Sequence, residues 1–217
     1  MRTLFYVVRH GETDDNARRV FQGHGGSGLN ARGKAQARRL AERMGSASLT
    51  AIVSSDLERA SETAHVVAGH VGRSVHLASV LREVDLGRWS GLREEQIAQQ
   101  FPEEWSAWRD GEDIRRGGGE TYDEASARVQ EGLRDYASAW REWDTEGERA
   151  SLPRVLVVTH GGVIRSLVAR IVGVRPTSIS PFAPVANCAL TVIEFDASRG
   201  FTLHSWNDTS HLEGPVV

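Results

Sequence analysis

Cysteine is almost missing from this chain of 217 residues, where Cys188 stands alone. That excludes an intrachain disulfide and a thiolate metal site. Cys188 falls in the apolar run from Ala186 to Phe195 and reads as a packed strand thiol rather than a nucleophile. Lysine is nearly as scarce: of 26 basic residues only Lys34 is one, a bias we read as compositional. An excess of one charge is lacking too, since 26 basic against 29 acidic residues leaves −3. With no bulk basic field, nucleic acid is not an expected partner, and any anion site must be built locally from arginines. No apolar run approaches membrane-spanning length. Leu4 to Val8 is too short for the core of a signal peptide. The expectation is a soluble, cytoplasmic protein without a membrane partner. The Gly-rich segment Phe21 to Gly28 is followed by no Gly-Lys-Ser/Thr, so it is not a nucleotide-phosphate loop. A metal hydrolase would draw on several of the 8 histidines, yet no His-Glu-x-x-His spacing occurs. Internal repeats and signs of a second domain are also lacking. The expectation is one domain over residues 1–217 with a variable, lid-like insert at about 92–120.

What the chain does have is strands that end in chemistry. Leu4 to Val8 is an apolar run that stops at Arg9-His10-Gly11, the pattern of a short buried strand. In open α/β sheets ligands sit at the carboxyl ends of strands. An imidazole beside a guanidinium there suggests a nucleophile next to an anion clamp, although two solvated polar residues at a strand end would look the same. A second copy of the pattern favours the first reading. Val155 to Val158 is another apolar strand, ending in Thr159-His160-Gly161-Gly162. Two such strands side by side bring two imidazoles to one sheet edge.

The remaining segments alternate. Thr13 is placed to cap a short helix to about Arg19, with Asn16 on Thr13's face and able to point back at the site. The Gly-rich segment is either a flexible linker or a loop whose amides meet an anion. Asn30 opens a helix to Met44, stopped by Gly45. A strand follows at Ala51 to Ser54. A capping box of Ser55 and Glu58 then opens a helix to about Gly69, with Arg59 in its first turn. Arg59 there is either solvated or part of an anion clamp. Val75 to Leu77 is a third brief strand. In Leu81 to Trp89 the Gly and Trp suggest a folded-over loop whose indole covers something, and Glu83, Asp85, Glu94 and Glu95 all compete for an acid role. Short helices around Glu94 to Gln99 and Glu103 to Trp108 precede Arg115-Arg116, with Trp105 and Trp108 spaced as core residues. Thr121 and Glu124 form another capping box, for a helix to about Trp143. Asp144 to Pro153 reads as a surface loop. Gly161-Gly162 opens a helix to about Val172, whose free amides can receive a phosphoryl oxygen. Two strands, around Ile193 and at Phe201 to Trp206, close the chain as a hairpin. Alternating strands and helices give an α/β/α three-layer sandwich with a mostly parallel central sheet.

Four pieces together carry a family resemblance. They are Arg9-His10-Gly11-Glu12-Thr13, Ser54-Ser55-Asp56-Leu57-Glu58-Arg59-Ala60, Leu81-Arg82-Glu83 with Gly87-Arg88-Trp89-Ser90-Gly91, and Thr159-His160-Gly161-Gly162. In this order they resemble the histidine phosphatase superfamily, the phosphoglycerate mutase-like family, over most of the chain. The resemblance implies His10 as nucleophile through a phosphohistidine. It implies Arg9, Arg59 and His160 as the charge on the phosphoryl oxygens, and Asn16 as a neutral donor. It makes Glu83 the acid. It places Gln22, Gly23 and Gly161 at the phosphate, although the extra glycines after Gly23 depart from the family's tighter polar turn. It implies no cofactor and no metal, and a small phosphorylated metabolite as partner; a homodimer is compatible with it. The paired Arg115 and Arg116 suit a second anionic group on the substrate, and a solvated loop pair equally. Mutases of the family carry Arg-His-Tyr-Gly just after the acid, where this chain has Leu86-Gly87-Arg88-Trp89, similar to the phosphatase branch. The expected activity is hydrolysis of a phosphomonoester. The alternatives are a cofactor-dependent phosphoglycerate mutase and a phospholigand-binding module without catalysis.

Overall fold

The strands run as near-continuous apolar stretches because both faces of the sheet are covered. In the computed structural model, which describes residues 2–143, 152–178 and 180–213, six strands form one sheet in the order β3-β2-β4-β1-β5-β6. These are β1 (Arg2–Arg9), β2 (Ala51–Ser54), β3 (Val75–Leu77), β4 (Arg154–Thr159), β5 (Leu190–Asp196) and β6 (Gly200–Asp208). The first four in spatial order are parallel, and β5 and β6 form the antiparallel hairpin at the far edge.

Successive side chains of a strand point to opposite faces, so each strand feeds two cores. On one face Phe5, Val7, Val53, Val155, Val157 and Ile193 pack together. They are covered by α6 (Tyr122–Trp143) and α7 (Gly161–Ile171), whose buried residues include Val129, Leu133, Ile164 and Leu167. On the other, Val8, Ile52, Leu156, Val158 and Leu190 meet α2 (Ala31–Met44) and α3 (Glu58–Val71) through Leu40, Met44, Ala64 and Val67. Three layers result, as the alternation of elements implies.

The insert holds α4 (Glu94–Gln100), α5 (Pro102–Arg109) and a 3₁₀ turn at Arg116–Gly118. Trp89 is fully buried and meets both Trp105 and Trp108 with ring centroids 5.9 Å away. The indole therefore anchors the insert to the core. Thr121 and Glu124 form the expected box, each accepting the other's backbone N–H at 3.1 and 3.0 Å.

Two details overturn local expectations. Helix α3 begins at Glu58 with Leu57 as its N-cap and no side-chain cap, so Ser55 and Glu58 make no capping box. Cys188 is buried as expected but precedes β5, in a left-handed turn with φ 56° whose N–H donates to the Arg9 carbonyl at 3.0 Å. Of the loop expected at Asp144 to Pro153, residues 144–151 lie outside the described residues.

Register positions the site. In the parallel β1–β4 pair, Val8 faces Val158 and Arg9 faces Thr159. His10 and His160 are each the next residue, and their ring centroids stand 5.2 Å apart. Gly11 is needed for a close approach of backbones: a Cβ there would lie 2.6 Å from the Gly33 carbonyl oxygen, in the first turn of α2. The turn after His10 is thus clamped against a helix rather than opened toward a ligand.

Candidate active site

His10 is 3% exposed at the floor of a cavity of about 630 Å³. Its Nδ1 lies 2.7 Å from the Gly11 carbonyl oxygen. A carbonyl only accepts, so Nδ1 carries the proton and Nε2 keeps its lone pair. Arg59 Nε, 3.3 Å away, donates to that Nε2. Burial first, and then the guanidiniums of Arg9 and Arg59, hold the imidazole well below its ordinary range. His10 is therefore neutral at pH 7, as a nitrogen nucleophile must be.

The turn that carries His10 is held from three sides. Gly11 N donates to Thr63 Oγ1 at 3.0 Å on α3. Asn187 Nδ2 donates to the His10 carbonyl at 3.0 Å and to Asn16 Oδ1 at 3.1 Å. Helix α1 (Asp14–Ala17) starts at Thr13 in a box with Asn16, whose Oδ1 also takes the Thr13 N–H. With Oδ1 so occupied, the Asn16 amino group is the part left to donate into the cavity.

Arg9 and Arg59 bring the charge. Burial lowers Arg9, and it lowers Arg59 to about 10; a guanidinium keeps its charge in a protein. Arg9 Nη1 donates to the Val185 carbonyl at 2.6 Å, while its buried Nε has no protein partner. Arg59 Nη1 and Nη2 donate to the carbonyls of Gly25 and Gly23 at 2.6 and 2.7 Å. The Gly-rich segment is thus tied down over the site, not a free linker. Gln22 donates from Nε2 to Thr13 Oγ1 at 2.9 Å, and its buried Oε1 is without a protein partner.

His160 corrects one expectation. It is fully buried, with Nε2 2.9 Å from Ser55 Oγ and Nδ1 lacking a protein partner. Burial first, then Arg59, His10, Arg9 and His24, keep it well below the ordinary imidazole range. In this state it supplies a neutral ring rather than an imidazolium; the standing positive charge is that of Arg9 and Arg59.

Glu83 corrects another. Two of the amides at the start of α7 are taken: Gly162 N and Val163 N donate to the Glu83 carboxylate, each at 3.0 Å, joined by Val84 N at 2.9 Å. The positive end of the helix has found its anion inside the chain. Only a residue without a Cβ permits this: one at Gly162 would lie 2.6 Å from Glu83 Oε1. The backbone before the acid is fixed as well. Thr159 Oγ1 donates to the Leu81 carbonyl at 2.6 Å, and Arg128 on α6 donates to the carbonyls of Val80, Arg82 and Glu83 at 2.7 to 3.3 Å.

Arg9, His10, Asn16, Gln22, Gly23, Arg59, Glu83 and Arg116 line the cavity together. His160 and Gly161 sit behind it, and a Cβ on Gly161 would be 3.2 Å from Arg9 Nε. The arginine pair separates. Arg115 turns outward to pair with Glu124 and to donate to the Gly119 carbonyl at 3.2 Å. Arg116 is 3% exposed, with its guanidinium 3.9 Å above the Tyr122 ring and Nε and Nη2 without protein partners. Of the two, Arg116 lines the cavity and Arg115 does not. Asn187, Thr63, Arg128 and His24 were not found by sequence reasoning. Each acts through a contact distant in the chain, and no local spacing marks it.

Among the described residues, no group of three or more His, Cys, Asp or Glu side chains is placed to hold a metal ion, and no helix is long and apolar enough to cross a membrane.

A protein described as probable phosphoglycerate mutase GpmB, from Enterobacter sp. strain 638, is 34% identical over 98% of this chain and 96% of its own length. Mycobacterial glucosyl-3-phosphoglycerate phosphatase, solved with inorganic phosphate, is 30% identical with a TM-score of 0.79, over 98% of this chain and 99% of its own. A histidine-to-alanine mutant of phosphoserine phosphatase from Entamoeba histolytica, solved with phosphoserine, is 26% identical with a TM-score of 0.81, over 97% and 100%. The family model matches residues 5–209, and the chain belongs to the histidine phosphatase superfamily, branch 1.

Proposed function

We propose that this chain hydrolyses the phosphomonoester of a small metabolite through a phosphohistidine on His10. The observation that carries the reading is the His10 ring itself: neutral, with its proton directed at the Gly11 carbonyl and its Nε2 lone pair beside Arg59. Nε2 attacks phosphorus and the bond from phosphorus to the leaving oxygen breaks. Arg9 and Arg59 neutralise the charge spread over the phosphoryl oxygens, with the Asn16 amino group as a neutral donor. A phosphomonoester that enters as its monoanion brings a proton to Glu83, a carboxylate under the α7 amides until then, and Glu83 passes it to the leaving alkoxide. In the second step Glu83 takes a proton from water as that water attacks phosphorus, and Nε2 is freed. Buried guanidiniums supply the electrostatic stabilisation, so no metal enters the scheme. Arg116 with the face of Tyr122 suits a carboxylate or a second phosphate on the substrate.

A mutase is the second reading, and the similarity to proteins described as probable phosphoglycerate mutases favours it. Both activities share the phosphohistidine and differ in what accepts the phosphoryl group next. A mutase must keep water away while the product turns round, which calls for a long closing segment. Between Glu83 and α6 this chain has two short helices and two 3₁₀ turns, so water is the expected acceptor.

One experiment separates the readings. 3-Phosphoglycerate and a panel of phosphorylated metabolites are offered with and without 2,3-bisphosphoglycerate, while free phosphate and isomerised product are followed. Phosphate release without the activator, with acid-labile label trapped on the wild type and absent from His10→Ala, is expected. Activator-dependent isomerisation that outruns phosphate release would overturn the phosphatase reading, and normal label on His10→Ala would overturn the nucleophile.

A further inference from the structure

Three consecutive residues of the Gly-rich loop touch both halves of the proposed chemistry. The carbonyls of Gly23 and Gly25 hold the two terminal nitrogens of Arg59, at 2.7 and 2.6 Å. Between them His24 points the other way, and its Nε2 lies 2.8 Å from the Glu83 carbonyl oxygen. The carbonyl can only accept, so Nε2 is the protonated nitrogen and His24 donates. Arg59 in turn reaches His10 Nε2 through its own Nε. A continuous path therefore runs from Glu83 through His24 and the loop backbone to Arg59 and His10.

From this path we infer that His24 is a positioning residue, which sets the distance between Glu83 and the phosphoryl group held at Arg59 and His10. The inference rests on the reading of Glu83 as the acid. Arg128 donates to the same Glu83 carbonyl from the α6 side, at 3.3 Å. Among the hydrogen bonds of the described residues, that of His24 joins the acid's backbone to the loop that grips the clamp. Gly23 has φ 53°, a left-handed conformation that turns its carbonyl to Arg59 while the next side chain faces Glu83. Without the imidazole the loop keeps Arg59 but loses its hold on the acid. The consequence is a fault in proton delivery, with phosphate binding preserved.

The test compares two probes: β-glycerol phosphate, whose alkoxide needs a proton to leave, and p-nitrophenyl phosphate, whose phenolate does not. His24→Ala is expected to lower kcat/KM, which reports the steps up to departure of the leaving group, roughly tenfold on β-glycerol phosphate, part of the about 10²–10⁴ that a general acid contributes. On p-nitrophenyl phosphate kcat/KM should hold within about twofold, which also shows that the variant is folded. Inhibition by inorganic phosphate should be unchanged. His24→Gln, whose amide N–H takes the place of Nε2–H, should restore most of the loss. In the Glu83→Gln background, His24→Ala should cost nothing further on either probe, because residues that act through one group are not additive. Equal losses on both probes, or an additive loss in the double variant, would overturn the inference while leaving Glu83 as the acid. Should Glu83→Gln itself slow both probes equally, the acid reading falls, and the inference falls with it.

Discussion

Gly162→Ala isolates the acid from the fold. Gly162 is the second residue of α7, and its backbone is not left-handed, so an alanine meets no conformational penalty there. In a helix interior that change is favourable by about 0.5–1 kcal/mol, and less in a first turn. The obstacle is Glu83. The new Cβ would stand 2.6 Å from Oε1, where ordinary contact begins at 3.4 Å, so the oxygen must retreat by 3.4 − 2.6 = 0.8 Å. Oε1 is the far end of a flexible side chain, and it gives way before the backbone does. The retreat stretches the bonds that Oε1 accepts from Val163 N and Val84 N, now 3.0 and 2.9 Å. Losing one such charge-assisted bond outright costs about 1.5–3 kcal/mol, and stretching it costs part of that. The two effects nearly cancel, so Tm should move by no more than about 4 °C. Catalysis is less forgiving, since a misplacement of about 1 Å costs on the order of 10²-fold. The expected result is a kcat/KM on β-glycerol phosphate down by about 10²-fold, with that on p-nitrophenyl phosphate held within a few-fold and Tm nearly unchanged. Thermal melts and initial rates on the two esters decide it. Undiminished turnover of the alkyl ester would refute the reasoning, because it would mean that the carboxylate need not sit at the end of α7.

The site also predicts how stability responds to acid. His10 and His160 are held neutral in the folded chain, while an unfolded imidazole titrates near 6.5. Below that pH the unfolded chain takes up protons that the folded chain refuses. Their contribution is complete above about pH 6.5 and is lost on acidification at up to about 1.4 kcal/mol per pH unit for each histidine. Asp196 titrates at about 2, outside this window. Urea unfolding at about pH 7.5, 6.5 and 5.5 should show the fall, with a smaller slope in His160→Gln, where His10 and the half-buried His211, which burial also lowers, still contribute; stability flat across that range would contradict the burial of neutral rings. On the substrate side, Arg116→Ala should change the ranking of a phosphorylated-metabolite panel and Arg115→Ala should not, because only Arg116 reaches the cavity. The reverse pattern would place the second-anion site elsewhere.

All six strands are legible in the sequence, for a simple reason. A sheet covered on both faces demands apolar residues in succession, and Val155 to Val158 has no other way to be buried. The meeting of His10 and His160 is legible as well, since two parallel strands in register that end in the same way must present the same next residue. Polar groups with several partners in reach are a different matter. Ser55 and Glu58 have the spacing of a capping box, and such a cap is worth about 1 kcal/mol. The Ser55 hydroxyl instead meets Nε2 of a fully buried His160. Leaving a buried polar atom unpaired costs about 1–3 kcal/mol, more than an exposed helix start gains, so the hydroxyl goes to the imidazole and α3 begins uncapped. The same competition explains α7. Its first amides await an anion, and the nearest is a carboxylate brought by a loop some eighty residues earlier, which no local pattern announces. His24 and Asn187 are further cases, lying 59 and 177 residues from the groups they hold. Arg115 and Arg116 are identical neighbours, separated only by the 3₁₀ turn that begins at Arg116, which sends one guanidinium to Glu124 and the other over Tyr122. The elements follow from burial, which the order of apolar residues records. The wiring of the site follows from which buried donor would be most costly to leave unpaired, and that is decided only when the layers close.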